Sequence, residues 1–320
     1  VVRNLLNFHG IKLSEPMVLG LGSGIFFSHM PFYKLHGMAL TSFRYFPGSI
    51  FTRVTRALGI EVQWHKFKDP DKAMAKLDEV LAQGIPVGLR VGVYHLSYFP
   101  KEYRMHFNAH NLCVIGKEGD EYIVSDPIGM NKNRLSAENL KKVRFAQGTS
   151  PPEGRMYYIK STEHYKPLTA DMLYKATLKT CSGMLGIPFN MFGAKGIAYL
   201  AKRMRKWERL YGERGAAMNL AQVIRMLEEI GTGGAGFRFM YAAFLQEASE
   251  FLNKPEWNQL SMDLTEVGDL WRDFSYHAAR FFKKREGIIL SYNDIADKLD
   301  VISARETEVF RKLENSIKRG

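Results

Sequence analysis

AHNLCVIGKEGDEYIVSDP, residues 109–127, decides how this chain is read, because it can set a histidine against an aspartate. His110 opens an apolar run (Leu112, Cys113, Val114, Ile115), and Asp126 closes a second one (Tyr122, Ile123, Val124). The polar link between them, Lys117, Glu118, Gly119 and Asp120, makes the pair of runs an antiparallel hairpin. A three-residue loop Lys117-Glu118-Gly119, with Gly119 left-handed, would pair Gly116 with Asp120 and bring His110 opposite Asp126. A carboxylate there would hold one imidazole nitrogen and leave the other to act as a base. The same spacing fits a plain hairpin with a polar strand end and an Asp-Pro turn. One residue of slip would put the two side chains on opposite faces.

A His/Asp pair lacks a nucleophile, and neither cysteine is well placed to supply one. Cys113 lies three residues from His110 on one strand, so the pleat points the two apart. Cys181, in LKTCSGMLG, reads as a small core residue among Leu178, Met184 and Leu185. Ser23, in GLGSG, misses the nucleophile elbow because position 21 is leucine. The chain opens at Val1 inside what reads as a helix (Val2, Leu5, Leu6, Ile11, with Gly10 as its stop), so the start of that helix is expected ahead of Val1. A helix start is where a thiol's pKa is lowered.

These residues carry a resemblance. VVRNLLNFHGIKLSEPMVLGLGSGIFF at residues 1–27, with AHNLCVIG and VSDP, resembles the N-terminal domain of the butirosin biosynthesis protein H family. GTGGAGFRFMYAAFLQEASEFL at 231–252 and DLWRDFSYHAARFF at 269–282 resemble the helical domain of unknown function that follows it. The resemblance implies a fold similar to papain-like and bacteriocin-leader (C39-like) cysteine peptidases. It also implies transfer of an aminoacyl group from an acyl carrier protein to an aminoglycoside amine. Carried over by motif, His110 is the catalytic histidine and Asp126 its orienting acid. The family's cysteine lies in a His-Cys motif expected just ahead of Val1.

Composition bounds the class. With 320 residues, 46% hydrophobic and 24% charged, the chain is an ordinary globular protein of two expected domains. No window approaches ~18 uninterrupted apolar residues, so no transmembrane helix is expected. Two scattered cysteines without CxxC or ligand spacing predict a reducing, cytoplasmic setting and no metal site. The net charge of +12 is uneven: residues 1–160 hold 21 Lys/Arg against 13 Asp/Glu, and 161–320 hold 24 against 20. A basic first domain suits an acidic acyl carrier protein with its phosphopantetheine arm as substrate, and no cofactor of the chain's own is expected. Nucleic acid is not expected, for no helix-turn-helix, finger or RNA-binding motif is present. Self-association is left open.

Along the chain, Ser14 and Glu15 mark a helix start, and Gly22, Ser23 and Gly24 form a loop read either as lining an acyl channel or as a simple turn. PDKAMAKLDEVLAQ, residues 70–83, predicts an amphipathic helix with Ala73, Leu77, Val80 and Leu81 on one face; residues 85–96 and 155–160 predict strands. The break is placed in STEHYKPLT, residues 161–169, beyond which helical periodicity takes over; Leu200, Met204, Trp207 and Tyr211 form one stripe there. The basic face opposite that stripe reads as solvated, or as a docking surface for an acidic partner. In GTGGAGFRF the glycines predict a helix cap, with Arg238 at the next helix start either holding a phosphate or carboxylate or marking a sharp corner. His106, four residues before His110, is a candidate for the rim of the same site; the other histidines, from His9, His29 and His36 to His277, show no catalytic spacing.

The expected fold class is α+β: a papain-like domain with an antiparallel sheet (1–160) followed by an all-helical domain (161–320). The expected function is acyl transfer from a carrier thioester to an amine or hydroxyl through a cysteine acyl-enzyme, in secondary-metabolite biosynthesis. A C39-like cysteine peptidase and a non-catalytic acyl or carrier-protein binding module are the alternatives.

Overall fold

The structure, a computed structural model, describes residues 1–35, 37–128, 132–230, 233–283 and 290–318. In chain order the elements begin with α1 (Val2–Phe8), α2 (Glu15–Leu21), β1 (Ile25–Leu35), β2 (Met38–Arg44), α3 (Pro47–Ala57) and β3 (Glu61–His65). Next come α4 (Pro70–Ala82), β4 (Val87–Val91), β5 (His110–Glu118), β6 (Glu121–Ser125), β7 (Asn133–Ser136), α5 (Ala137–Arg144) and β8 (Met156–Ser161). The helices α6 (Ala170–Cys181), α7 (Gly193–Met204), α8 (Trp207–Glu228), α9 (Arg238–Leu252), α10 (Glu256–Phe282) and α11 (Tyr292–Lys318) follow. The fold is α+β, with antiparallel sheets early in the chain and mostly helix later.

Two compact units emerge: residues 1–14 with 55–167, and residues 15–54 with 168–320. Their division near residue 167 falls inside the segment chosen from the sequence, but residues 15–54 do not follow the expected 160/161 split. The physical reason lies in the β1–β2 hairpin, whose first five residues are all buried. Its Ser28 bridges to Phe192 and its Phe27 ring stacks near Trp271 at 6.1 Å. An apolar hairpin clusters with whatever buries it, and that partner is distant in sequence. The second unit is therefore not all-helical.

In the first unit, six antiparallel strands run β3-β8-β4-β5-β6-β7. Helix α4 begins where the sequence places it, because the Asp69 carboxylate accepts from the backbone N–H of Asp71 and Lys72 and Pro70 fills the first helical position. Its Ala73, Leu77 and Val80 are buried, the last two in one core with Val87, Leu89, Leu112, Val114 and Tyr122. The strand expected over 85–96 stops at Val91, since Gly92 N–H turns to Val143 O and Val93 N–H to Phe107 O. Residues 92–109 then form a long connection that returns to β5.

In the second unit, Leu200, Met204 and Trp207 are buried along the expected stripe, although the helix breaks after Met204 and kinks at Gly212 (φ 69°, ψ 171°). Arg238, at the start of α9, is fully buried and meets Glu306 of α11 through Nε–Oε1 at 2.7 Å and Nη2–Oε2 at 3.0 Å. Trp271 Nε1 donates to the same Oε1 at 2.7 Å. The backbone before Arg238 is left-handed from Gly233 through Phe237, and a Cβ on Gly236 would lie 2.6 Å from the Phe43 ring. Glycine is required there by both conformation and space. Gly231, Thr232 and His36 lie outside the described residues. No helix among the described residues is long and apolar enough to cross a membrane.

His29 of β1 is 1% exposed; its Nδ1 lies 2.9 Å from Thr41 Oγ1 and its Nε2 has no hydrogen-bond partner among the described residues. Burial, then the charges of Arg203 and Lys34, push its pKa from 6.5 down to about 4. The folded protein therefore refuses a proton that the unfolded chain accepts, so the stability due to neutral His29 is whole above pH 6.5 and is lost as pH falls toward 4. Wild type is expected to lose roughly 3 kcal/mol more than His29→Gln between pH 7 and pH 4. Urea unfolding of both proteins at the two pH values checks this, and parallel losses would overturn it.

Candidate active site

The β5–β6 hairpin turns more tightly than the sequence reading has it. Glu118 pairs with Glu121 and Lys117 with Tyr122, leaving the two-residue loop Gly119-Asp120 with Gly119 at φ 59°. Lys117 and Glu118 stay in the strand because their side chains are held there: Lys117 Nζ reaches Asp78 Oδ2 at 2.7 Å and lies over the Tyr122 ring, and Glu118 pairs with Arg134 at 2.5 Å. Continued without interruption, this register would set Asp126 across from Cys113, on the face away from His110. A β-bulge intervenes, since Gly116 faces Ile123 while Val114 faces Val124, and Ile115 is the extra residue. Beyond the bulge, the register brings Asp126 opposite Leu112, diagonal to His110 on the same face. The expected loop and the Gly116–Asp120 pairing do not form, yet the juxtaposition they served does.

His110 Nε2 lies 2.6 Å from Asp126 Oδ2, with side-chain exposures of 11% and 0%. Tyr98 donates its hydroxyl to the same Oδ2 at 2.8 Å, and the Ile128 N–H donates to Oδ1 at 2.9 Å across Pro127, which has no N–H to offer. Burial works to raise the Asp126 pKa, but the His110, Ile128 and Tyr98 bonds outweigh it and hold the carboxyl below its ordinary range. An ionised Asp126 accepts a hydrogen bond from Nε2–H and leaves Nδ1 as the nitrogen that accepts and returns a proton. The Phe99 ring stands edge-on to the imidazole, 5.8 Å between centroids. Asn4 of α1 donates to Ser125 Oγ at 2.8 Å, which docks the first helix beside the strand end preceding Asp126.

Neither cysteine serves this pair. Cys113 is buried, with burial pushing its thiol up to about 12; Cys181 lies in the second unit, also buried and pushed to about 12. His106 is exposed and stacks on Tyr94 at 4.2 Å, in the same connection that carries Tyr98 and Phe99. Among the described residues, no group of three or more His, Cys, Asp or Glu is placed to hold a metal.

Two further candidates fall on the turn or corner alternative. Gly22, Ser23 and Gly24 are buried in the second unit, where Ser23 Oγ donates to Ala176 O at 2.9 Å and Arg53 donates to the Gly22 and Ser23 carbonyls. With no surface to offer and its polar groups spent on its own unit, the loop packs a corner rather than lining a channel. Arg238 likewise spends its guanidinium on the Glu306 carboxylate and on the Gly236 carbonyl at 2.7 Å, so it is a buried staple within its own unit, at the corner rather than on a ligand. The sequence reading missed Tyr98, which lies 28 residues from Asp126 on an irregular loop with no periodicity to flag it. The Ile128 contact had a signal, for Asp-Pro favours a side chain that bonds backbone two residues on.

The chain matches two family models. The one described as Butirosin biosynthesis protein H, N-terminal, covers residues 1–127 and includes His110 and Asp126. The one described as Domain of unknown function (DUF4872) covers residues 138–313, starting earlier than the break read from the sequence. None of the curated proteins compared with the chain matches it.

Asp126→Ala strands the Tyr98 hydroxyl and the Ile128 N–H, and is expected to cost about 2–3 kcal/mol at pH 7. The depressed Asp126 carboxyl contributes stability that is present above its ordinary pKa and lost as pH falls through the folded value, so the gap between wild type and variant should shrink as pH falls from 7 to below 3.8. Urea midpoints across that range check both statements, and a pH-independent gap would contradict the second.

Proposed function

This chain belongs to the butirosin biosynthesis protein H family, and on that premise we propose that it is an acyltransferase with a papain-like first domain, working through a His110–Asp126 dyad. The observation that carries the reading is the buried, ionised Asp126 on Nε2 of His110, which leaves Nδ1 to serve a thiol. The family's cysteine is expected ahead of Val1, and the Asn4–Ser125 bond supports delivery of that thiol beside the dyad. In the proposed reaction Nδ1 takes the thiol proton, and the thiolate attacks the carbonyl carbon of a carrier-bound thioester. The C–S bond to the pantetheine arm breaks, the departing thiolate recovers the proton from His110, and an acyl-enzyme remains. An amine or hydroxyl then adds to the acyl carbon, His110 takes its proton, and the cysteine leaves as the thiol. The positive balance of residues 1–160 suits an acidic carrier.

One observation favours a second reading. Both cysteines of the chain are buried with raised thiols, so without a preceding cysteine the fold would be a binding module for an acyl or carrier ligand.

The test is intact-mass analysis of the full-length protein with its native N-terminus after incubation with carrier proteins bearing assorted thioesters, beside His110→Ala. A mass gain equal to the acyl group, slowed by about 100-fold or more in the variant, is expected. Carrier binding without any adduct would overturn acyl transfer in favour of the binding module.

A further inference from the structure

The connection from β4 to β5 leaves the sheet and returns to it at the site, since Val91 and His110 are paired directly. Its base is closed by Val93 N–H on Phe107 O at 2.9 Å and by Arg90 Nε on Asn108 O at 3.1 Å. From there three side chains converge. Tyr98 donates to Asp126 Oδ2, Phe99 meets the His110 ring, and Arg104 ties off the segment bearing both, its Nε on Phe99 O at 2.8 Å and its Nη2 on Ser97 O at 2.5 Å. The sheet closes without any of these contacts.

We propose that residues 92–109 are the positioning device of the dyad and that Tyr98 is its working residue: by donating to the oxygen that accepts the hydrogen bond from Nε2–H, Tyr98 keeps Asp126 ionised and aimed, and so keeps His110 protonated on Nε2 and bare on Nδ1. The chemistry follows from what Asp126 does without that donor. A buried carboxylate that loses one of its hydrogen bonds is driven to take a proton or to rotate. A protonated Asp126 donates to Nε2 instead of accepting from it, which moves the imidazole proton to Nδ1 and removes the lone pair that a thiol proton needs. Tyr98 is suited to the role because its phenol does not ionise: burial and the Asp126 charge both push its pKa up. Arg104 keeps the Tyr98 backbone in place through the two flanking carbonyls, so it acts one step further out.

The inference rests on the acyl-transfer reading only for the use to which Nδ1 is put; the tautomer belongs to the free protein. The experiment is ¹⁵N-histidine NMR of the full-length protein, with the His110 signals assigned from His110→Gln, on wild type, Tyr98→Phe, Arg104→Met and, as a reference for the inverted tautomer, Asp126→Asn. Acyl-transfer kcat and KM are measured on the same proteins. Wild type is expected to hold the Nε2–H tautomer, and Tyr98→Phe to gain the Nδ1–H form while kcat falls about tenfold with KM within twofold. Arg104→Met should show a smaller shift in the same direction, and it carries the test if Tyr98→Phe does not fold. A tautomer shift in the variants, with a wild-type protein that forms no acyl-enzyme, would uphold the positioning role while acyl transfer falls. An unchanged tautomer and kcat in both variants would overturn the positioning role while leaving acyl transfer standing.

Discussion

A buried carboxylate must be paid for in hydrogen bonds, and Asp126 is where the first unit meets that constraint. Removing an ion of this size from water costs several kcal/mol, so Asp126 stays charged only because donors are brought to it from separate segments. His110 comes from the start of β5, Tyr98 from the connection after β4, and the Ile128 N–H from the turn after β6. Each donor fixes the segment that supplies it. The hairpin, the long connection and the Asp-Pro turn are therefore tied to one side chain, and the site's geometry is a consequence of satisfying it.

The second unit buries a charge pair under the same constraint with a different outcome. Arg238 and Glu306 close on each other in a bidentate pair, Trp271 adds a donor, and the Gly236 carbonyl takes another guanidinium N–H. A pair so closed contributes to holding α9 on α11 and has no group left for chemistry. His110 differs because its carboxylate partner occupies one nitrogen and the ring has two. His29 shows a third solution, in which a buried imidazole stays neutral.

The hairpin illustrates how much depends on a single residue. With Lys117 and Glu118 held in the strand by Asp78 and Arg134, the turn closes at Gly119-Asp120, and that register alone separates His110 from Asp126 by a face. The bulge at Ile115 absorbs one residue and restores the parity. Periodicity in the sequence shows two apolar runs and a glycine between them. It does not show which polar residues of the link will find partners on a neighbouring helix or strand.

The features legible in the sequence are local. Asp69 and Pro70 start α4, Gly10 and Gly84 end helices at positive φ, and the separation of His110 from Asp126 by one short hairpin brought the dyad within reach. Those features rest on interactions between residues a few positions apart, or across one turn. Tertiary structure alone decided the rest: that Tyr98 reaches Asp126, that Arg238 meets a glutamate 68 residues away, and that residues 15–54 pack with the later helices. Glycines 22 and 24 and Arg238 carried the composition of a ligand site and became buried packing, because burial is fixed by elements distant in sequence, whose approach no local pattern encodes.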